Sequence, residues 1–356
     1  MIDKRLVTIA SLGILGSPIY ALNFRLHGML FERGLKIGPG TNLHSFLFYQ
    51  YAPLGILYLL GIGILFLRGP SHNQSPHLLY IILFFGILYR IFLVPIQPML
   101  SSDMYRYLWD GRVQASGINP YRYPPNHEAL KKLRDGAVYP FINRKGSPTI
   151  YPGGAQVLFY LLNRVGVRSV TAYKAATSLM FDMGSILLLI MILGRLGLNK
   201  ERVLVYAWNP LIIYELANNG HLDGFVVFFS LLTLWFLVKE WPKAAVSSLA
   251  VATSLKLYPL IILPAVIREK KVRRLLLFSG IFLLFYIPYL SVGEKVLGFL
   301  PEYLTSPYET FNLGLKAYLL GLLPSLNHFV ATKAFACALV VAAVVIWIKR
   351  KIRSMP

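Results

Sequence analysis

Long apolar runs recur along this chain, at residues 6–22, 46–67, 78–96, 170–193, 222–238, 272–290 and 329–348. About 20 helical residues cross the roughly 30 Å hydrocarbon layer of a bilayer. In that layer backbone groups must find their partners within the chain. Barrel strands alternate in polarity over about ten residues, so runs this long and continuous exclude them. The expected fold class is an all-α polytopic membrane protein. About ten transmembrane helices would form one bundle, residues 1–356 as a single domain, with interfacial or re-entrant helices on the outer face.

Composition agrees with that class. Of 356 residues, 56% are hydrophobic and 14% charged, at a mean hydropathy of +0.57; soluble domains carry about 25% charged residues. A net charge of +21 would suit a nucleic-acid partner. In a membrane protein, basic residues instead collect in cytoplasmic loops and meet anionic lipid. Membrane lipids, and no nucleic acid, are the partners this implies. The single cysteine, Cys337, permits no intrachain disulfide and no cysteine metal cluster. The start, "MIDKRLVTIASLGILGSPIYA", is basic and then apolar, as in a signal peptide. Ile19 stands where cleavage after Ala21 would need a small residue, so an uncleaved first helix is expected. The sequon at Asn73 falls in an expected inner loop and is read as chance.

Basic clusters set the orientation. Lys4 and Arg5, the groups at 195–202, 239–243 and 268–274, and Lys349 to Arg353 would all be cytoplasmic. The loop at about 97–150 then lies outside, as does a second at about 292–311. The stretch 154–163 is too short to cross and would be re-entrant or interfacial. "SLKLYP" breaks an apolar run at Lys256 and Tyr258–Pro259, because proline disfavours helix before it. Two short helices are expected to meet there near the outer face, with 312–324 a further short outer element.

The first outer loop opens with "SSDMYRYLWDGRVQASGINPYRYPP", residues 101–125. As a helix over 103–116, it would put Asp103, Arg106, Tyr107, Asp110 and Gln114 on one face. Tyr105, Leu108, Trp109 and Arg112 would lie opposite, with the aromatic rings in the headgroup region. The bland reading is an interfacial helix with a solvated charged face. Other polar residues converge on the same side, however: "ELANNGHLDG" (215–224), "TIYPGGAQ" (149–156) and Lys256. Ionisable groups near membrane depth are costly and tend to mark a functional cavity. Arg90 and Asp182 fall inside expected spans; pairing between helices is the expected account, a gate or lipid-tail groove the alternative. Glu215 could serve either purpose.

No nucleotide-binding glycine loop, HExxH or Ser/His/Asp motif is present. A carboxylate among cations suits a different task. It could deprotonate an acceptor hydroxyl while Lys and Arg neutralise a phosphate leaving group. An aromatic-rich cavity at the membrane edge suits a lipid-linked phosphate.

These segments resemble the GT-C superfamily of integral-membrane glycosyltransferases. Most similar are polyprenyl-phosphomannose-dependent mannosyltransferases, including the first mannosyltransferase of GPI-anchor assembly. The resemblance spans roughly residues 80–325 and rests on "SDMYRYLWDGRVQASGINPYRYPP", "TIYPGGAQ", "NPLIIYELANNGHLDG" and "ATSLKLYPLIILP", in that order. It implies a GT-C-like bundle and an inverting transfer of a hexose, mannose by the resemblance, from a polyprenyl-phosphate donor to a glycan or glycolipid acceptor. Short loops and no extra domain suggest a bacterial inner membrane rather than the endoplasmic reticulum, with the site facing the periplasm or exterior. By motif position the catalytic base is Asp103. Lys256, Tyr258, His221, Asp223, Arg106, Arg112 and Tyr151 would contact donor phosphate or sugar. Many relatives have two acids where this chain reads "SSD", which leaves Asp110 as a possible second acid or rival base; it could instead orient Arg106 or Arg112. No metal and no other cofactor are expected. Nearby Arg106 and Arg112 would favour the ionised form of the base. A phosphate leaving group needs no general acid, unlike the carboxylate pair of a glycosidase.

A transporter or flippase for lipid-linked sugars would share the spans and the cationic cavity. Paired halves with matching broken helices are common there, whereas this chain has one break, at 254–259, without a counterpart.

Overall fold

A computed structural model describes residues 4–32, 47–67, 76–267 and 271–305. These residues contain helices and no strand, so the chain is all-α as expected. In order come α1 (Lys4–Glu32), α2 (Ala52–Leu67), α3 (Pro76–Leu93), α4 (Asp103–Ala115) and α5 (Gly153–Arg164). Then follow α6 (Val170–Arg195), α7 (Asp223–Val238), α8 (Pro242–Leu255) and α9 (Lys271–Leu284). Within α6 one turn, Ala176–Asp182, is widened to π geometry, and a second π turn runs over Tyr214–Asn218. Two compact units are present, Met1–Val296 and Leu297–Pro356. The first holds all the helices above; in the second a short helix covers Leu300–Thr305.

The described residues hold fewer spans than the ten expected. Among the described residues four helices are long and apolar enough to cross a membrane, within α1, α2, α3 and α6, or five if a bent pair beginning with α9 is one span. The reason is local. α7, read as a span, is an apolar helix of 16 residues, and α8 stops at Lys256, where the backbone turns extended (φ −146°, ψ 148°) at the break expected in "SLKLYP". At about 1.5 Å per residue, helices of 14 residues such as α8 and α9 reach only about two-thirds of the hydrocarbon thickness. The expected span 329–348, the element 312–324, the end of the loop 292–311, Cys337, Asn73 and the basic residues from Lys349 onward lie outside the described residues.

A membrane-spanning core forms where α1 packs on α3. Ile9, Leu12 and Tyr20 meet Leu78, Ile82, Phe85 and Tyr89, Tyr20 stacks on Tyr89 at 4.4 Å, and Tyr89 donates to the Gly13 carbonyl at 3.0 Å. Inside it Arg90 Nε meets Asp182 Oδ2 at 2.5 Å, both side chains wholly buried. Arg90 Nη1 also donates to the carbonyls of Gly86 and Ala207. Pairing between helices is thus what these two ionisable residues do.

A second core surrounds α4, and here another expectation fails. Trp109 and Tyr105 do not face lipid headgroups: they are 1% and 6% exposed. The chain after α4 folds back over it, so Trp109 packs beside Tyr139 and Tyr105 stacks on Phe141 at 5.0 Å. On the other side Tyr107 stacks on Phe159 of α5 at 4.8 Å. Sheltered from both directions, α4 is a core helix rather than an interfacial one.

Candidate active site

Asp103 is the first residue of α4, where a carboxylate is stabilised by the unpaired N–H groups of the opening turn. Its own N–H donates to Ser101 Oγ at 3.2 Å. Oδ1 accepts from Asn143 Nδ2 at 2.6 Å. Among the described residues no hydrogen bond reaches Oδ2, and the side chain is only partly buried.

Near the start of α4, where a Cβ on Gly220 would lie 2.9 Å from Met104 Sδ, is a polar cluster assembled from three segments. Lys256 Nζ lies 2.6 Å from Asp223 Oδ2, and Tyr258 donates to Asp223 Oδ1 at 3.2 Å. His221 stands between carboxylates, with Nδ1 3.6 Å from Asp223 Oδ2 and Nε2 3.4 Å from Glu215 Oε2. Burial disfavours a charge on this imidazole, but the contact with Asp223 and the fields of Glu215 and Asp103 outweigh it and raise its pKa. Tyr151 also feels Asp103: burial first, and then that carboxylate, hold its phenol well above the usual range, so it remains a hydrogen-bond donor. The field of Asp103 on both groups ties α4 to this cluster. Close approach of α5 to α8 helps, since a Cβ on Gly154 would overlap Ser254 Oγ. "TIYPGGAQ" and "SLKLYP" therefore abut.

Asp110 belongs to a different network. Arg106 Nε donates to its Oδ1 at 2.9 Å and Gln156 Nε2 to its Oδ2 at 2.9 Å. Gln156 is in turn held by Thr149 and Gln114, and Gln114 Oε1 accepts from Tyr289 at 2.7 Å. With both oxygens engaged and 1% exposure, Asp110 is built to hold helices together. Arg106 and Arg112 are not the companions of Asp103 that the sequence suggested. Arg106 serves Asp110 and the Ser147 carbonyl. Arg112 Nη2 pairs with Asp135 at 2.7 Å and Nη1 donates to the Leu133 carbonyl. Helix geometry decides this: Arg106 and Asp110 are one turn apart, while Arg112 points to the overlying loop.

Lys256, Tyr258, His221, Asp223, Tyr151 and Asp103 are thus brought together, and Arg106, Arg112 and Asp110 are engaged elsewhere. Asn143 escaped notice because it lies 40 residues from Asp103 with no motif around it. Glu215 carried a signal, its place in "ELANNGHLDG", without a defined role. Among the described residues no group of three or more His, Cys, Asp or Glu is placed to hold a metal ion.

Long apolar helices define an all-α membrane protein, and it gathers Lys256, Asp223, His221 and Glu215 in one partly exposed polar cluster. The chain belongs to the MptA_B family, described as alpha-(1->6)-mannopyranosyltransferase, N-terminal domain, whose profile matches residues 12–269. It therefore carries a mannosyltransferase glycosyltransferase domain, which implies a sugar donor and an acceptor. No match was found among curated proteins or among solved structures.

Proposed function

We propose that this chain is an inverting mannosyltransferase. It moves mannose from a polyprenyl-phosphate donor to a hydroxyl of a glycan or glycolipid acceptor, at the outer membrane face. The carrying observation is the contrast between the two acids: Oδ2 of Asp103 accepts no hydrogen bond among the described residues, while both oxygens of Asp110 are taken. A general base needs an available lone pair within reach of the proton it removes.

In this reading Asp103 Oδ2 takes the proton of the acceptor hydroxyl as its oxygen attacks the anomeric carbon. The bond from that carbon to the phosphate oxygen breaks, and polyprenyl phosphate leaves with the electron pair. One displacement inverts the anomer. Lys256 and His221 supply positive charge for the departing phosphate. Lys256 spends one of its three donors on Asp223, leaving others to reach a ligand. Tyr151 and Tyr258 provide neutral donors and an apolar ring face for the sugar.

The test is transfer by purified protein in detergent, with polyprenyl-phosphomannose, a panel of glycan and glycolipid acceptors, and product stereochemistry as a readout. Transfer with inversion that disappears in Asp103→Asn supports the reading. Full activity of Asp103→Asn would remove the base assignment, and donor binding without transfer to any acceptor would favour a lipid-linked-sugar carrier.

A further inference from the structure

The segment between α3 and α4, Val94–Ser102, contains Pro95 and Pro98. Prolines deny it a helix, so its backbone groups need partners from elsewhere. For Gln97, Met99 and Leu100 those partners are side chains of a single turn. Asn218 Oδ1 accepts from Met99 N at 2.9 Å, and Asn219 Oδ1 accepts from Leu100 N at 3.0 Å. Asn218 Nδ2 also donates to the Gln97 carbonyl at 3.2 Å. Both asparagines are wholly buried. Gly220 follows with φ +63°, and a Cβ there would lie 2.9 Å from Met104 Sδ and 3.0 Å from Lys174 Cγ. Met104 is the next residue after Asp103, and His221 is the next after Gly220.

We infer that Asn218–Asn219–Gly220 is a positioning element that fixes Asp103 relative to His221 and Asp223. Two hydrogen bonds set how far along the chain the Val94–Ser102 segment sits. A close backbone contact sets how near α4 comes. Lys174, buried in α6, reinforces the same segment by donating to the carbonyls of Leu93 and Ile96. Among the described residues no hydrogen bond joins the three turn residues to Asp103 itself, so they act through the chain. The inference rests on Asp103 being the base and on His221 and Asp223 serving the donor.

Displacing a reacting group by about 1 Å can cost on the order of a hundredfold in rate without loss of binding. Asn219→Ala in the full-length protein is therefore expected to lower kcat roughly tenfold to a hundredfold, with the KM for polyprenyl-phosphomannose within about twofold of wild type. Asn219→Asp, which keeps an acceptor oxygen for Leu100 N, should recover most of kcat. Gly220→Ala should reproduce the kcat loss by a steric route. A folded Asn219→Ala with wild-type kcat overturns the inference. So does a parallel fall of kcat, donor affinity and melting temperature that Asn219→Asp fails to relieve, which would mark a purely structural turn. Asp103→Asn runs alongside: if it stays active, the base assignment has failed, whereas an inactive Asp103→Asn beside a fully active Asn219→Ala removes only the positioning role.

Discussion

Lys256 Nζ and Asp223 Oδ2 stand 2.6 Å apart, joining the end of α8 to the start of α7. The pair is about a quarter exposed, and Asp223 has further neighbours in Tyr258 and His221.

Lys256→Ala should therefore leave the fold in place, because Asp223 retains Tyr258 and His221. A charge-assisted hydrogen bond contributes about 1.5–3 kcal/mol, so the KM for the polyprenyl-phosphate donor should rise on the order of tenfold to a hundredfold. Steady-state kinetics over donor concentration checks this, and an unchanged KM would place Lys256 outside the donor site.

Removing the carboxylate itself has a different signature. Asp103→Asn should lower kcat by at least roughly a hundredfold, within the range for a positioned general base, and leave thermal unfolding in detergent close to wild type. Asn143→Ala, which frees Oδ1 to swing, should cost less, on the order of tenfold. If Asn143→Ala proved as damaging as Asp103→Asn, Asn143 itself would have to touch substrate.

His221 gives the pH dependence its sign. Its folded-state pKa is raised, so its charge contributes fully below the ordinary value of about 6.5 and is lost as pH rises through the higher folded value. Donor KM should be lowest in the acidic arm and climb above that folded pKa. His221→Gln should flatten the climb, and a profile identical to wild type in that variant would exclude the imidazolium from donor binding.

Asp135 works in the opposite direction. Burial opposes its charge, but the hydrogen bond from Arg112 and those from the N–H groups of Val138 and Tyr139 bring its pKa down to about 2. A depressed carboxylate stabilises the fold above the unfolded value of about 3.9, and that contribution disappears as pH falls towards 2. Asp135→Asn should lower the melting temperature at pH 6 and have little further effect near pH 2. The same loss at both pH values would mean that packing, rather than charge, holds this loop.

Much of this could be read before any coordinates, and the limits have physical causes. Arg106, Asp110 and Gln114 were placed on one face because helical spacing is local. The ordered motifs around Tyr151, His221 and Lys256 were found because each keeps its polar residues within a few positions. The Asn143–Asp103 and Arg112–Asp135 contacts depend on how the chain from 118 to 152 folds back, which no spacing encodes. That same return covers Trp109, whose aromatic character alone could equally suit a lipid interface. The lower span count among the described residues has a related origin: hydropathy registers apolar content, while α7, α8 and α9 run only 16, 14 and 14 residues.

Arg90 and Asp182 offer a test free of the active site. Removing one member strands a buried charge, at a cost of about 3–5 kcal/mol, whereas replacing both with apolar residues is often neutral. Arg90→Met should be strongly destabilised, and Arg90→Met/Asp182→Leu should recover much of the loss in thermal melts. If the double variant melts normally yet transfers no sugar, the pair has a role beyond holding helices.

The π turn that ends at Asp182 has one more implication. A widened turn accommodates an extra residue, and each residue of an α-helix advances the face by about 100°. Because the widened turn takes that residue up, the helix faces on either side keep their phase; were the turn to close into regular geometry with the residue still in place, every later side chain would swing by that angle and Asp182 would be carried away from Arg90. The span would remain as apolar and nearly as long, so hydropathy would not register the change. Helical phase, rather than length or greasiness, is what this stretch of the chain has to preserve.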